Sequence, residues 1–260
     1  MRILKSILIA FSIYSRIPVP TFDWEDEDYR HAVCFLPLVG AVIGALVAGS
    51  VRFIGVLPVF AVTVILALIP LIVTGGFHLD GYMDVMDAKN SFSGREKSLE
   101  IMKDPHIGAF AVIGLLKLSL LWLVALYMVV YTGESGQPAY GIYFYGISFV
   151  AVRASCGLLC LILPKAKKDG MLVKEAGSGD LKGKMILSAQ LVISAVLWAY
   201  VSLPAAVCCC AGLGLFSFVY WRMCKMRFGG VTGDTAGYYV TAGETVVLVI
   251  MAVFFSVTGI

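Results

Sequence analysis

Three aspartates, Asp80, Asp84 and Asp87, stand in the stretch Gly75-Gly76-Phe77-His78-Leu79-Asp80-Gly81-Tyr82-Met83-Asp84-Val85-Met86-Asp87. At about 100° per residue, their i, i+4, i+7 spacing gathers them on one helical face. Three like charges on one face repel each other, so a helix gains by this arrangement only if a cation binds between them. Hard oxygen donors without a thiol or a histidine pair suit Mg²⁺ or Mn²⁺, metals that share their coordination with substrate phosphates. The bland alternative is a solvated acidic face, but the residues between the aspartates are too apolar for a solvent-loving segment. On the same helix His78 points about 160° away from Asp80. It joins the aspartates as a base only if Gly75-Gly76 hold it in the turn before the helix.

Two further clusters carry chemistry. In Lys103-Asp104-Pro105-His106-Ile107-Gly108, Asp104 reads as an N-cap and Pro105 as a first helical residue, so free N–H groups and a positive dipole end would favour a phosphate. Asp104 either caps the helix or ligates a metal, and both can hold. Lys103 and His106 are placed to neutralise phosphate charge or to sit among headgroups. The other cluster is Arg227-Phe228-Gly229-Gly230-Val231-Thr232-Gly233-Asp234-Thr235-Ala236-Gly237. Its glycines, Gly230 and Gly233 among them, allow backbone N–H groups to approach a ligand, and Thr232, Asp234 and Thr235 add oxygen ligands or donors. It is no Walker A loop, since no Gly-Lys-Ser/Thr follows, and read alone it equals an ordinary turn between helices. Arg153 lies inside an apolar run, where an unpaired charge costs at least ~2.5 kcal/mol. It must face the interior and meet a carboxylate or a phosphate.

The elements that position these residues are membrane helices. The 260 residues are 60% hydrophobic and 14% charged, and the mean hydropathy is +0.90, a balance that suits a bilayer rather than water. Seven apolar runs approach the ~20 residues needed to cross: Val33–Ile54, Val59–Val73, Ile107–Tyr131, Ile142–Leu163, Met185–Leu203, Ala205–Trp221 and Thr245–Val257. The second and last are short, which leaves tilted or re-entrant passage open. Basic residues collect at the N-terminus and in the loops 75–106, 164–184 and 222–242, while 132–140 has none. The positive-inside bias therefore puts the N-terminus and all three chemical clusters on the cytoplasmic side. The sequence predicts an all-α polytopic transmembrane bundle forming one domain over residues 1–260, with 1–17 as an interfacial helix. Gly40 and Gly44 form a small-xxx-small pair for close helix packing. The seven cysteines show neither disulfide nor zinc spacing.

With these motifs in hand, the chain resembles the adenosylcobinamide-GDP ribazoletransferase (cobalamin synthase) family over nearly its whole length. The resemblance is carried by Phe11…Arg16-Ile-Pro-Val-Pro, Gly76-Phe-His-Leu-Asp-Gly…Asp84…Asp87-Ala, Ile101-Met-Lys-Asp…Ile107-Gly-Ala-Phe and Gly229-Gly-Val-Thr-Gly-Asp…Gly237…Glu244. It departs most at Pro164-Lys-Ala-Lys-Lys-Asp-Gly-Met-Leu, where the family pattern favours arginine and more glycine. The resemblance implies attack by the ribose hydroxyl of α-ribazole, or of its 5′-phosphate, on the cobinamide-bearing phosphorus of adenosylcobinamide-GDP, with GMP leaving. It implies Mg²⁺ on Asp80, Asp84 and Asp87, with Asp104 and Asp234 as further ligands. Substrate binding then falls to Lys103, His106, Arg153, Arg227, Gly230, Thr232 and Gly233, and the nucleophile's proton to Asp84, Asp87 or His78. The expected setting is the cytoplasmic (inner) membrane, among lipid, with no nucleic-acid partner and a homo-oligomer left open. Two rivals remain. A CDP-alcohol phosphotransferase would need Ala-Arg after Asp-Gly, where Tyr82-Met83-Asp84 stands. A transporter would carry its carboxylates nearer the bilayer midplane.

Overall fold

The computed structural model describes residues 2–20, 22–91, 94–134, 139–166, 170–176 and 181–259. In chain order the helices are α1 (Arg2–Tyr14), α2 (Asp26–Tyr29), α3 (Leu36–Gly49), α4 (Val59–Thr74), α5 (Phe77–Asn90), α6 (Arg95–Ile101), α7 (Ala109–Glu134), α8 (Tyr140–Ile162), α9 (Met171–Ala176), α10 (Leu181–Val201), α11 (Leu203–Met223) and α12 (Gly233–Thr258). Among the described residues six helical stretches are long and apolar enough to cross a membrane, at 27–53, 109–133, 140–162, 181–201, 203–228 and 233–258. α4 and α5 make a further apolar unit, bent by 91°. The expected all-helical polytopic architecture is what the chain adopts. Of the basic loop 164–184, Lys167 and Lys168 lie outside the described residues.

α8 and α12 form the centre, and the close approach of α3 to α8 depends on glycine. A Cβ on Gly40 would strike the Phe149 carbonyl, one on Gly44 the Gly146 carbonyl, and one on Gly146 would come within 3.0 Å of the Gly44 oxygen. The small-xxx-small pair thus works as backbone contact between helices. On the other side of α8, Trp198 of α10 stacks on Phe144, with ring centroids 5.2 Å apart, and donates its indole N–H to the Phe144 carbonyl at 3.0 Å. α10 and α11 turn Val192, Val207, Leu215 and Phe218 outward, the shell an apolar solvent requires. At the other end of the chain's first helix, Lys5 of α1 pairs with Asp28 at 2.9 Å, and Tyr14 donates to Glu175 of α9.

Two helix boundaries differ from the sequence expectation. α12 begins at Gly233 rather than near Thr245, because Thr232 and Thr235 form a reciprocal capping box. The hydroxyls that lowered the apparent hydropathy are also satisfied inside the bundle: Tyr239 meets Ser155 at 2.7 Å and Ser217 at 2.6 Å. α7 begins at Ala109, so Pro105 is not its first residue and Asp104 is not its cap.

Candidate active site

The site is built where α5 crosses the first turns of α12. α4 ends on two successive left-handed residues, Gly75 (φ 63°) and Gly76 (φ 81°), a conformation that costs other L-residues dearly. The chain therefore leaves α4 at 91°, and α5 lies across the end of the bundle instead of continuing through it. Arg16 packs its side chain against Gly75 and takes the Val73 carbonyl with its amide at 2.7 Å. The crossing itself is closed by glycines on both helices. A Cβ at Gly81 would lie 2.8 Å from the Asp234 carbonyl, and one at Gly237 would lie 2.9 Å from the His78 carbonyl. Tyr82 and Tyr238 stack beside them, 5.4 Å apart. This contact brings Asp234, from the far end of the sequence, to the aspartates of α5.

The electrostatics register that gathering. Burial first, and then the charges of Asp80, Asp234 and Asp87, raise the Asp84 pKa from 3.8 to about 6. Asp80 is exposed, while Asp84 and Asp234 are half-buried. Among the described residues no three carboxylate, histidine or cysteine side chains converge in a ready-made ion site, so the acidic groups are neighbours without closing on one point. The donor chemistry nevertheless fits a hard divalent cation: Asp80, Asp84 and Asp234 are all oxygen ligands, and their mutual repulsion is what such an ion relieves. Asp87 is engaged differently. Its carboxylate accepts the Gly108 amide at 2.7 Å and the Ala111 amide at 2.9 Å, and so caps α7 from another helix.

The remaining sequence candidates divide. Asp104 turns back on its own loop, accepting the His106 amide at 3.0 Å and meeting His106 Nδ1 at 2.7 Å. These hydrogen bonds hold its pKa below the ordinary value, and Asp104, His106 and Lys103 are all exposed. Arg227 donates to the Lys89 carbonyl, a cation at the C-terminal end of α5. Thr232 is the N-cap of α12, accepting the Thr235 amide at 3.1 Å. Gly230 is needed for packing, since a Cβ there would come within 2.6 Å of the Ala166 amide. Gly233 is exposed with nothing crowding it. Two basic residues outside the expected site set border it, Arg95 of the 75–106 loop and Lys165 of the segment where the family resemblance is weakest. Arg95 lays its guanidinium over Gly229. Lys165 lines a cleft of about 200 Å³ together with Thr232, Gly233 and Asp234, and half-burial lowers its pKa. The backbone pairing of Val231 with Pro164 at 2.8 Å and Ala166 at 3.0 Å joins these two segments, and no local pattern announces it.

Arg153 finds the carboxylate its burial demanded: it is ion-paired with Glu244 between α8 and α12, and also donates to the Phe149 carbonyl at 3.2 Å. His78 belongs to α5 itself and not to the preceding turn. It is buried, faces away from the exposed Asp80, and lies parallel to the Tyr14 ring at 6.0 Å.

Fold and site together define a polytopic helical membrane protein with an acidic centre at one end of the bundle, where helices from both halves of the chain cross. The cobalamin-5-phosphate synthase family model matches residues 6–252. The chain belongs to that family and is a transferase of cobalamin biosynthesis. It is 36% identical over 249 residues to an adenosylcobinamide-GDP ribazoletransferase of Lachnoclostridium phytofermentans, covering 94% of this chain and 92% of the relative. It is 32% identical to the Brevibacillus brevis protein of the same name, covering 95% and 98%, and 30% identical to that of Clostridium botulinum strain Okra, covering 96% and 98%. No solved structure matches. Neither the phosphotransferase rival nor the transporter is the family so matched.

Proposed function

We propose that this chain joins adenosylcobinamide-GDP to α-ribazole or its 5′-phosphate, with Mg²⁺ held by Asp80, Asp84 and Asp234 on the cytoplasmic side of the membrane. The observation that carries the reading is the gathering of half-buried Asp84 with Asp80, Asp87 and Asp234, at a crossing of α5 and α12 that only glycine permits. Nothing in a helix pair is stabilised by such crowding, whereas a bound divalent cation and a diphosphate beside it are. The ion, when bound, would supply charge neutralisation for the diphosphate.

The chain's own residues supply positioning. The cleft of Lys165, Thr232 and Gly233 lies at the N-terminus of α12, where a helix dipole and a lysine favour phosphate oxygens. The attacking ribose hydroxyl forms a bond to the cobinamide-bearing phosphorus while the bond from that phosphorus to the GMP oxygen breaks, and the hydroxyl proton passes to a carboxylate of the cluster. Asp87 acts as a positioning residue, through α7. Purified protein supplied with both substrates and Mg²⁺ should release GMP. Asp84→Asn should sharply lower that rate and raise the Mg²⁺ concentration it requires, and near-normal turnover at saturating Mg²⁺ would remove Asp84 from the mechanism.

A further inference from the structure

Thr235 is wholly buried in the first turn of α12, and its hydroxyl has no hydrogen-bonding capacity left over. It accepts the Thr232 amide at 2.8 Å, donates to the Thr232 carbonyl at 3.0 Å and accepts the Tyr220 hydroxyl of α11 at 3.2 Å. One proton and two lone pairs are all that a hydroxyl offers. A capping box is complete once the two threonines exchange side-chain and amide bonds, so the bond from Tyr220 is an addition to it from another helix. Tyr220 is 1% exposed, with its ring edge-on to Tyr239 at 4.8 Å. The buried Cys224 thiol, a weak partner, lies against both hydroxyls. The other half of the box leads outward. Thr232 Oγ1 accepts the Thr235 amide at 3.1 Å and donates to Asp234 Oδ2 at 3.5 Å, on the carboxylate that α12 brings to Asp84.

We propose that Tyr220 is a positioning residue for the reaction, acting through Thr235 and Thr232 on the carboxylate of Asp234. The inference rests on the reading of Asp234 as a metal ligand and names what orients that ligand. The glycine contacts of the α5–α12 crossing fix the Asp234 backbone, but they leave its side chain its own torsions. A hydrogen bond as long as that from Thr232 is weak alone, so its direction depends on how firmly Thr232 is held. Val231 before it is paired with Pro164 and Ala166. The amide and carbonyl of Thr232 itself are both bound by the Thr235 hydroxyl. Threonine in a helix has two usable χ1 wells, and the Tyr220 bond favours the one in which the hydroxyl serves both groups. Outer partners of this kind orient a ligating carboxylate, and their removal typically costs about 10–100-fold in metal affinity or activity. A single donor on Oδ2 leaves Oδ1 to a cation, so the relay aims the ligand without occupying it.

Tyr220→Phe removes the hydroxyl and keeps the buried ring. Mg²⁺ titrated into the substrate-free protein in detergent should raise the unfolding temperature of wild type, and the variant should need ~10-fold more Mg²⁺ for half the shift. The Mg²⁺ concentration giving half-maximal GMP release should rise by a similar factor, with the KM for α-ribazole unchanged. Thr235→Ser retains the hydroxyl and should behave as wild type. In an Asp234→Asn background Tyr220→Phe should change the Mg²⁺ requirement no further, since groups acting in one hydrogen-bonded chain are not additive. If Tyr220→Phe does not fold, Thr232→Gly deletes the hydroxyl that touches Asp234 at a helix position where glycine is well tolerated, and it should show the same rise. Either variant answering Mg²⁺ at the wild-type concentration would overturn the proposal, whatever its stability without metal. So would an effect of Tyr220→Phe that persists undiminished in Asp234→Asn. A wild-type protein that does not answer Mg²⁺ at all would strike at the metal reading of Asp234 first, and at this inference with it.

Discussion

Asp87 on α5 accepts the Gly108 amide at 2.7 Å, and so ties the helix that carries the acidic cluster to the start of α7. The same carboxylate takes the Ala111 amide at 2.9 Å, two of the N–H groups that a helix leaves unsatisfied at its first turn. A cap supplied by another helix fixes the relation of the two as well as the end of one. Asp87→Ala should therefore cost stability, by about 0.5–2 kcal/mol for a lost cap, measured as thermal unfolding in detergent. Asp87→Asn keeps one acceptor oxygen and should recover most of that loss. The Mg²⁺ concentration giving half-maximal rate should stay close to wild type in Asp87→Asn. A requirement raised as far as in Asp84→Asn would make Asp87 a metal ligand.

Asp84 predicts a stability effect of opposite sign. Its folded pKa of about 6 stands above the ordinary 3.8, so the fold favours the protonated form. The cost of ionising it is absent below 3.8, develops as pH rises to about 6, and is fully present beyond. Metal-free protein at pH 7.5 should therefore unfold at a lower temperature than Asp84→Asn, and the gap should close toward pH 4. Added Mg²⁺ should raise the unfolding temperature of wild type and leave Asp84→Asn nearly unmoved. A wild-type protein more stable than the variant in the absence of metal would contradict the electrostatic account of the cluster.

The bend between α4 and α5 separates two glycines that look alike in sequence. Both have positive φ, but a Cβ at Gly76 meets nothing within 4 Å, whereas one at Gly75 falls on the Arg16 side chain. Gly76→Ala should carry only backbone strain, of order 1–3 kcal/mol. Gly75→Ala should carry that strain and also displace Arg16, and so lose more activity, since the bend aims α5 across α12. Comparing kcat of the two variants tests this ordering, and pairing Gly75→Ala with Arg16→Ala should restore part of the difference.

The distinction between legible and illegible features runs along sequence separation. The seven apolar runs and the shared face of Asp80, Asp84 and Asp87 are local periodicities, and each reappears as helix. Gly40 and Gly44 could be read as a contact because small residues four apart have few other uses in a span. The sequence also demanded a partner for Arg153, without saying that Glu244, 91 positions later, would provide it. Asp104 misled because Asp-Pro before an apolar run satisfies every local criterion for a helix start, while the actual cap, Asp87, arrives from another helix. The start of α12 was hidden for a different reason. Its threonines, tyrosines and glycines lower the apparent hydropathy of a segment whose hydroxyls are satisfied by neighbouring helices, and hydropathy counts groups without seeing their partners.

Arg153 and Glu244 give the last test, because both are almost fully buried and each is the other's compensation. Removing one partner of a buried pair leaves an isolated charge, at a typical cost of about 3–5 kcal/mol, whereas replacing both by apolar residues of similar size is often neutral. Glu244→Leu alone should sharply reduce the yield and unfolding temperature of the folded protein. Arg153→Met with Glu244→Leu should fold nearly as well as wild type, having removed two desolvated charges from the centre of the α8–α12 contact. Folding not recovered would show that the Arg153 bond to the Phe149 carbonyl, which the double variant also deletes, holds α8 in place independently of Glu244.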